Sequence, residues 1–269
     1  MLRPELLELL REPVATDDKY SRGVVGFVTG SSSFPGAAIL GVTGAMRCGI
    51  GMVRYLGPRR VGELLLEVRP EAVLVDGRAQ AWVLGSGMAI DDDFESVLGH
   101  LAAAEIAVLD AGALAVVDFS AHASRTVLTP HAGEAAALLS RLGHDAPRSD
   151  VEGSPAEYAA LLARITGCVV LLKGNRTQIV SPDGVAREAG PLSADLSTAG
   201  TGDVLAGMLG ALLAANHNRV LESQEVFLNV IELAILLHSE AAELASQDGP
   251  VAALDVAEAV RKVIAKYHV

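Results

Sequence analysis

The chain has 269 residues, of which 51% are hydrophobic and 20% are charged, and this composition excludes a disordered or fibrous protein. Its length suits one α/β domain over residues 1–269, and its net charge of −12 argues against binding a nucleic-acid backbone. No run approaches the ~18 consecutive apolar residues of a membrane span, so we expect a cytoplasmic protein that does not bind membranes.

Five short apolar runs predict strands that are buried on both faces, as in a parallel sheet. Segments with helical spacing separate them, and this alternation favours a mostly parallel sheet with helices on both sides. After Lys173 the pattern changes to a hairpin, with one strand over 177–180 and another from Val185 onward. The predicted buried strands are 24–28, 81–84, 106–109, 126–128 and 168–172, and the predicted helices are 36–48, 91–103, 132–142, 154–165, 203–215, 223–247 and 252–267.

The carboxyl ends of these strands are the places to look for chemistry, because ligands of doubly wound sheets bind there. Gly30 to Ala38 and Gly85 to Met88 are small-residue turns that a ligand could approach, although plain tight turns would look the same. Asp110 leaves a buried strand and could simply cap the next helix. His131 and Glu134 either hold a polar ligand or a hydrated metal, or they are a structural histidine and a capping glutamate.

The segment Gly200-Thr201-Gly202-Asp203 is the strongest candidate, since it directly precedes an apolar helix. Its glycines leave backbone N–H groups free at a helix start, where the partial positive charge favours an anion. A carboxylate beside such a site suggests a base that takes a proton from a hydroxyl attacking a phosphate. The alternative is an aspartate that only caps the helix.

The segment Lys173-Gly174-Asn175-Arg176-Thr177 leaves the last buried strand and offers cations, a hydroxyl and backbone amides to a nucleotide phosphate. The sequence has no Gly-x-x-x-x-Gly-Lys-Ser/Thr motif, which excludes a P-loop enzyme. It also has no Gly-x-Gly-x-x-Gly after its first strand, which disfavours a Rossmann dinucleotide fold.

The cysteines and the remaining histidines show no evident chemistry. Cys48 and Cys168 lie far apart among apolar neighbours, so we expect buried free thiols. No spacing of cysteines or histidines indicates a metal site, and His238 is expected to be structural because it lies on an apolar helix. The run Asp91-Asp92-Asp93 at a predicted helix start is expected to be a solvated cap.

Taken in order along the chain, these segments resemble the ADP/ATP-dependent NAD(P)H-hydrate dehydratases, a family of cofactor-repair enzymes related to carbohydrate kinases. The resemblance implies a ribokinase-like three-layer α/β/α sandwich with a mostly parallel central sheet. It extends from about residue 19 to 245 and is carried by Lys19…Gly23, Gly30-Ser31, Gly36-Ala37-Ala38-Ile39-Leu40, Arg47…Gly49…Gly51, Thr129-Pro130-His131…Gly133-Glu134, Lys173-Gly174…Thr177 and Ala199-Gly200-Thr201-Gly202-Asp203-Val204-Leu205.

The resemblance also implies a reaction in which the hydroxyl of an (S)-NAD(P)H hydrate is phosphorylated and phosphate then leaves. The implied catalytic residues are Asp203 as the base, with Gly200, Thr201 and Gly202 stabilising the transferred phosphate. The implied hydrate-binding residues are Ala38, Gly87, His131 and Asp203. The implied nucleotide-binding residues are Lys173, Gly174, Asn175, Arg176, Thr177 and Gly202.

In bacterial members of this family the donor is typically ADP, with ATP as the other option. The resemblance implies that Mg²⁺ bridges the nucleotide phosphates with Glu134 as an outer-shell partner, and that the protein supplies no direct metal ligand. It also implies a homo-oligomer, a tetramer in relatives, in which the apolar segment 5–10 could pack on a neighbouring chain.

Four segments depart from the usual family pattern. Ser193-Ala194-Asp195-Leu196-Ser197, which precedes the anion site, lacks the usual Met-Ala. Gly85-Ser86-Gly87-Met88-Ala89 replaces Gly-Pro-Gly-Leu-Gly, Gly112 replaces the second Asp of Asp-Ala-Asp-Ala-Leu, and Ala132 replaces the Pro of His-Pro-Gly-Glu. Two alternatives therefore stay open: a ribokinase-like kinase acting on a thiazole, a pyrimidine or a sugar alcohol, and a non-catalytic nucleotide-binding protein. Asp203 beside an intact anion site argues against the second.

Overall fold

The computed structural model describes residues 2–89, 92, 94–119 and 125–267. Its strands are β1 (Val24–Val28), β2 (Met52–Tyr55), β3 (Ala81–Leu84), β4 (Ile106–Leu109), β5 (Arg125–Leu128), β6 (Val169–Leu172), β7 (Thr177–Val180) and β8 (Ala186–Ala189). They form one sheet in the order β2-β1-β3-β4-β5-β6-β7-β8, parallel through β6 and antiparallel from β6 to β8. The predicted mostly parallel sheet is therefore confirmed.

Helices cover both faces of the sheet, and each face has its own hydrophobic core. One core joins the sheet to α2, α9, α11 and α12, and the other joins it to α4, α5, α6 and α8, which confirms the three layers. Among the described residues no helix is long and apolar enough to cross a membrane. The helices are α1 (Pro4–Leu7), α2 (Pro35–Arg47), α3 (Arg59–Val68), α4 (Glu95–Ala103), α5 (Gly112–Val116), α6 (Ala132–Arg141), α7 (Arg148–Gly153), α8 (Pro155–Thr166), α9 (Thr201–Ala215), α10 (His217–Glu222), α11 (Gln224–Ala245) and α12 (Ala253–Ala265).

The predicted buried strands are confirmed to within one residue at each end, because each is apolar on both faces. The sequence analysis missed β2 and, among the helices, α1, α3, α5, α7 and α10. In β2 the residues Val53 and Tyr55 are buried whereas Met52 and Arg54 are half-buried, since this strand lies at the edge of the sheet. Four residues with one buried face give too short a pattern to recognise.

Two expectations about chain segments need correction. The helix predicted over 91–103 begins at Glu95, and Asp92 accepts a hydrogen bond from the N–H of Ala89 at 2.6 Å instead of capping it. Asp91 and Asp93 lie outside the described residues. In the segment 5–10, Leu6 and Leu9 are fully buried in the chain's own core, so they are not available to a neighbouring chain.

The expected free thiols are confirmed, but only one of them is fully buried. Cys168 is buried, and Cys48 is half-buried. Burial raises the pKa of both thiols, that of Cys168 to about 12, so both are protonated and unreactive at neutral pH.

The strand order reverses at β1, which has β2 on one side and β3 on the other, and doubly wound sheets leave a crevice at such a point. Gly30 follows β1, and its N–H donates to the carbonyl of Ser86 after β3 at 2.7 Å. Gly87 has a φ of +67°, and a Cβ there would lie 2.4 Å from Ala37 Cβ at the start of α2. Only glycine allows this turn to pack so closely against α2.

Glycines also let α9 pack closely against α2. A Cβ at Gly207 would lie 1.9 Å from the carbonyl oxygen of Gly41, and a Cβ at Gly44 would lie 2.8 Å from that of Val204. The two helices therefore meet backbone to backbone. This contact fixes where the first turn of α9, which contains Asp203, stands at the edge of the sheet.

Candidate active site

Four neighbouring strands each end near a polar side chain, and these side chains form one hydrogen-bonded row. Asp110, after β4, is buried and accepts hydrogen bonds from Ser86 Oγ at 2.9 Å and Thr129 Oγ1 at 2.7 Å. Lys173, after β6, places its Nζ 3.0 Å from Asp110 Oδ1. Because a buried charge needs a partner, each of these two ions holds the other at the carboxyl edge of the sheet.

Both ions keep their charge at neutral pH. Burial lowers the pKa of Lys173, but the carboxylates of Asp110 and Glu134 outweigh burial and raise it. Burial raises the pKa of Asp110, but Lys173 and the hydrogen bond from Thr129 outweigh burial and lower it. The pair is therefore a fixed feature of the site and not a proton donor or acceptor.

Asp203 faces the same lysine but differs from Asp110 in having no hydrogen bond from any described residue. Burial, assisted by the negative charge of Asp110, raises the pKa of Asp203 to about 7, while Lys173 opposes the rise. A carboxylate that exchanges its proton near neutrality can act as a general base on a substrate hydroxyl. The capping alternative for Asp203 is not supported, because its side chain caps no backbone N–H.

The turn before Asp203 has the conformation that the glycines predict. Gly200 caps α9 with a φ of +92°, and a Cβ there would lie 2.6 Å from Leu40 Cδ1. The N–H groups of Gly202 and Asp203 donate to no backbone or side-chain acceptor among the described residues. They are therefore available to an anion at the start of a 15-residue helix.

Thr201 supports this turn from within. Its hydroxyl donates to the carbonyl of Leu196 at 2.7 Å or of Thr198 at 2.8 Å, and its N–H donates to Thr198 at 3.3 Å. Thr201 is also buried, so its side chain holds the turn in shape.

Lys173 connects the turn to the polar row. Its Nζ lies 3.4 Å from the point that a Cβ of Gly202 would occupy, and 3.7 Å from Glu134 Oε2. Strand β6 thus brings a cation to the free N–H groups of α9. The ammonium, these N–H groups and the Asp203 carboxylate together suit the transfer of a phosphate to a hydroxyl.

His131 and Glu134 form a reciprocal cap at the start of α6, as one of the two sequence-based alternatives proposed. His131 Nδ1 accepts from the N–H groups of Gly133 at 3.0 Å and Glu134 at 3.2 Å, while Glu134 Oε2 accepts from the N–H of His131 at 2.8 Å. Since Nδ1 accepts, Nε2 carries the ring hydrogen. His131 is exposed, so this N–H can still reach a ligand.

The segment after Lys173 turns from β6 into β7, and its polar side chains form hydrogen bonds and an ion pair with other residues of the chain. Thr177 Oγ1 donates to the carbonyl of Gly174 at 2.9 Å, and Asn175 Nδ2 donates to the carbonyl of Leu192. Arg176 pairs with Glu188 at 2.6 Å on the outer side of the hairpin. Of the two cations expected for a phosphate, the structure brings only Lys173 to Gly202.

Ala38 and Gly87 border the crevice beside β1. Ala38 is fully buried in α2, so its side chain presents neither a polar group nor an accessible surface to a ligand. A Cβ at Gly36, two residues before Ala38, would meet nothing within 4 Å. The start of α2 is therefore open to an incoming molecule.

No group of three or more His, Cys, Asp or Glu side chains in the described ranges is arranged to hold a metal ion. The carboxylates that approach Lys173 are those of Asp110, Glu134 and Asp203. Three carboxyl groups against one ammonium leave the site short of positive charge for a bound phosphate.

The family model for NAD(P)H-hydrate dehydratases matches residues 25–264 of the chain. The chain belongs to the NAD(P)H-hydrate dehydratase family. The bifunctional NAD(P)H-hydrate repair enzyme Nnr of Corynebacterium glutamicum is 36% identical to this chain. The similarity covers 95% of this chain and 49% of that protein. The chain therefore spans about half the length of such bifunctional relatives.

Two further similarities connect this dehydratase-family chain to single-activity members. The ADP-dependent (S)-NAD(P)H-hydrate dehydratase of Bacillus subtilis is 31% identical, over 87% of this chain and 85% of that protein. A crystal structure of the Bacillus subtilis ADP/ATP-dependent enzyme, co-crystallised with ATP and Mg²⁺, superposes with a TM-score of 0.84 at 28% identity, over 97% of this chain and 96% of that chain. The ribokinase-like fold is thereby confirmed.

The structure explains one departure of this dehydratase-family member from the usual pattern. A Cβ at Gly112 would lie 2.4 Å from the carbonyl oxygen of Met88 and 3.0 Å from Phe94 Cζ. The turn after β3 therefore occupies the space that a side chain at position 112 would need.

Sequence reasoning left Asp110 undecided and named no role for Ser86. The available signal was position, since both follow buried strands. A strand end alone cannot show that Asp110 pairs with Lys173, 63 residues later in the chain.

Proposed function

We propose that this protein is an ADP-dependent (S)-NAD(P)H-hydrate dehydratase that repairs damaged nicotinamide cofactors. The observation that carries the proposal is Asp203 at the start of α9, a carboxylate that receives no hydrogen bond from any other described residue and has a pKa of about 7. Lys173 and the free N–H groups of α9 adjoin it. The relatives named for this activity support the choice of substrate.

In the first step Asp203 takes the proton from the ring hydroxyl of the hydrate. The hydroxyl oxygen bonds to the β-phosphorus of ADP as the bond from that phosphorus to AMP breaks. The N–H groups of Gly202 and Asp203, together with the ammonium of Lys173, stabilise the negative charge on the transferred phosphate. Gly200 and Thr201 hold these N–H groups in place.

In the second step the phosphorylated ring loses phosphate. The lone pair of the ring nitrogen expels the phosphate as the C–O bond breaks, and loss of a proton from the adjacent carbon restores the dihydropyridine. Phosphorylation is needed because hydroxide is a poor leaving group and phosphate is a good one. Each hydrate thus consumes one ADP and yields NAD(P)H, AMP, phosphate and a proton.

The nucleotide would be bound by Lys173 to Thr177 and by Gly202. Arg176 would have to exchange Glu188 for a phosphate, whereas Lys173 already lies next to Gly202. Mg²⁺ fits this site, because the surplus of carboxylates around Lys173 leaves the nucleotide phosphates without enough positive charge. The phosphates would hold the ion with Glu134 as an outer-shell partner, and its chemistry is to neutralise charge on the phosphates.

The hydrate would lie over the start of α2, lined by Ala38, Gly87 and His131, with its hydroxyl directed at Asp203. His131 would donate its Nε2 hydrogen to a polar group of the substrate. A fully buried alanine and a glycine add no polar side chain to the crevice, although Ala37 fills the space beside Gly87.

We also propose that residues 1–269 form a single domain that acts in the cytoplasm as a homo-oligomer, a tetramer as in relatives, without nucleic-acid or membrane partners. One continuous sheet with a core on each face supports the single domain. Light scattering on the purified protein measures the oligomeric state, and a monomer would contradict the proposed homo-oligomer.

The deciding experiment mixes the protein with NADH hydrate, Mg²⁺ and either ADP or ATP, and follows the near-ultraviolet absorbance of the dihydropyridine. A rise with ADP that exceeds the rise with ATP would support the proposal. A flat trace with both donors, from protein shown by calorimetry to bind ADP, would refute it. The acceptor would then be sought among thiazole, pyrimidine and sugar-alcohol hydroxyls.

A further inference from the structure

Ser86 follows β3 and carries a buried hydroxyl to which the proposed reaction gives no role. The residue is 2% exposed, and its Oγ donates a hydrogen bond to Asp110 Oδ2 at 2.9 Å. Its carbonyl oxygen accepts a hydrogen bond from the N–H of Gly30, after β1, at 2.7 Å. Ser86 thus connects the ends of three neighbouring strands of the sheet, β1, β3 and β4.

The turn that contains Ser86 packs tightly against the turn that follows Asp110. A Cβ at Gly85 would lie 2.4 Å from Ala113 Cβ. The carbonyl oxygen of Gly85 also accepts a hydrogen bond from the N–H of Gly112 at 3.3 Å. These contacts fix the distance between the two turns, so the hydrogen bond from Ser86 to Asp110 is in place before any ligand binds.

The two oxygens of the Asp110 carboxylate have different partners. Oδ1 accepts hydrogen bonds from Thr129 Oγ1 at 2.7 Å and from Lys173 Nζ at 3.0 Å. Among the described residues, Oδ2 accepts a hydrogen bond from Ser86 alone. A buried carboxylate oxygen is unfavourable without a donor, so without Ser86 the Oδ2 atom would draw the ammonium of Lys173 toward itself.

The ammonium of Lys173 is needed at a second place. It has three N–H donors, of which one is directed at Asp110 Oδ1. Its Nζ also lies 3.4 Å from the point that a Cβ of Gly202 would occupy, next to the free N–H groups of α9. If both oxygens of Asp110 used the ammonium, fewer of its donors would face a phosphate at this turn.

We propose that Ser86 is a positioning residue for Lys173. By donating to Asp110 Oδ2, it confines the ammonium to Oδ1 and leaves the other donors of Lys173 for the phosphate at Gly202. This proposal rests on the proposed function and names what directs the cation of its phosphate site. Ser86 acts through Asp110 and Lys173 and does not need to touch the nucleotide.

A substitution that removes the hydroxyl should weaken the binding of ADP more than that of AMP. Ser86→Ala leaves Oδ2 of Asp110 without its donor, and we expect the Kd of ADP to rise about tenfold. The Kd of AMP should rise less than about twofold, since AMP lacks the phosphate that is transferred. Calorimetry with each nucleotide measures the two constants.

The same substitution should move the pH dependence of the rate to higher pH. Burial and the carboxylates of Asp110 and Glu134 raise the pKa of Asp203. Lys173 is the cation that opposes this rise. An ammonium drawn toward Asp110 opposes it less, so Asp203 should keep its proton to higher pH in Ser86→Ala. A purely structural role of Ser86 would instead lower the rate equally at every pH.

Ser181→Ala is the matched control. Ser181 is also buried directly after a strand, and its Oγ also donates to an aspartate, but this aspartate is Asp183 in the turn between β7 and β8. The control is expected to lower thermal stability without separating ADP from AMP and without moving the pH–rate profile. Thermal unfolding, calorimetry and the pH–rate profile would be measured on the wild type and both variants.

A crystal structure of Ser86→Ala tests the positioning without reference to the reaction. The Nζ of Lys173 should then lie within hydrogen-bond distance of both oxygens of Asp110. An ammonium that stays on Oδ1, equal weakening of ADP and AMP, or an unmoved pH–rate profile would overturn the proposal. A wild type that binds ADP but does not restore NADH from its hydrate would overturn the proposed function and leave the role of Ser86 standing.

Discussion

At the scale of single residues, Asp203 and Asp110 have the same side chain but differ in their hydrogen bonds and in their pKa. Asp110 is fixed by three hydrogen-bond donors and stays ionised, whereas Asp203 has no donor in the part of the chain that the structure describes and titrates near neutrality. We expect Asp203→Asn to lower kcat by about 10²- to 10⁴-fold, because a base is lost. ADP should bind at least as well, because a negative charge beside the phosphate is removed.

The measurement combines the NADH-hydrate assay with ADP calorimetry. Asp183→Asn is the control, since Asp183 lies in the turn between β7 and β8 and binds Ser181 and Gln224. Near-normal turnover by Asp203→Asn would show that another group is the base.

The pH dependence of the rate follows from the same residue. A base must be deprotonated, so the rate should rise with pH through about 7. The negative charge of Asp110 raises the pKa of Asp203, so Asp110→Asn should move this rise to lower pH while it also reduces the maximal rate. A pH–rate profile of both proteins measures the shift, and an unmoved rise in the variant would contradict the assignment.

The raised pKa of Asp203 also predicts how the stability of the folded protein changes with pH. Its pKa is about 7 in the folded state, above the ordinary aspartate value of 3.8, so the folded state binds the proton more tightly. Raising the pH from about 4 to above 7 therefore destabilises the wild type at this residue. Asparagine cannot ionise, so Asp203→Asn should melt at a higher temperature than the wild type at pH 8 and show no such gain at pH 4.

At the scale of elements, the backbone contact between α2 and α9 decides where Asp203 stands. A Cβ at Gly207 would lie 1.9 Å from the backbone of Gly41, so we expect Gly207→Ala to lower the free energy of unfolding by about 1 to 3 kcal/mol. It should also lower kcat by displacing the start of α9.

Gly99→Ala is the matched control in α4, where a Cβ would meet nothing within 4 Å. Here alanine should stabilise the protein by about 0.5 to 1 kcal/mol, because it restricts the unfolded chain. Chemical denaturation measures the free energy of unfolding of the wild type and of both variants. Equal changes in the two variants would mean that α2 and α9 can move apart without a loss of stability.

At the scale of the whole molecule, one sheet separates two cores, so loss of either core exposes the sheet to water. We therefore expect a single cooperative unfolding transition, as for one domain. Trp82, the single tryptophan, lies buried on β3 against His100 and reports on the centre of the sheet. Its fluorescence and the far-ultraviolet circular dichroism should give the same midpoint in denaturant, and two separated midpoints would indicate two units.

Local patterns along the chain are enough to predict the layered fold and much of the site. Continuous apolar runs predict strands such as β1, β4 and β6, because residues buried on both faces must all be apolar. The glycines at positions 200 and 202 predict the turn with free N–H groups at the start of α9, because the backbone conformation of such a turn depends on neighbouring residues. These features are local, so a single sequence carries them.

Which charged side chains form ion pairs depends on the tertiary packing and cannot be predicted from local sequence. The sequence offers Lys173 and Arg176 as equals, but packing pairs Lys173 with Asp110 and leaves Arg176 on the outside with Glu188. Such partners lie tens of residues apart, and their pKa values and contacts depend on burial, which exists only once the chain has folded.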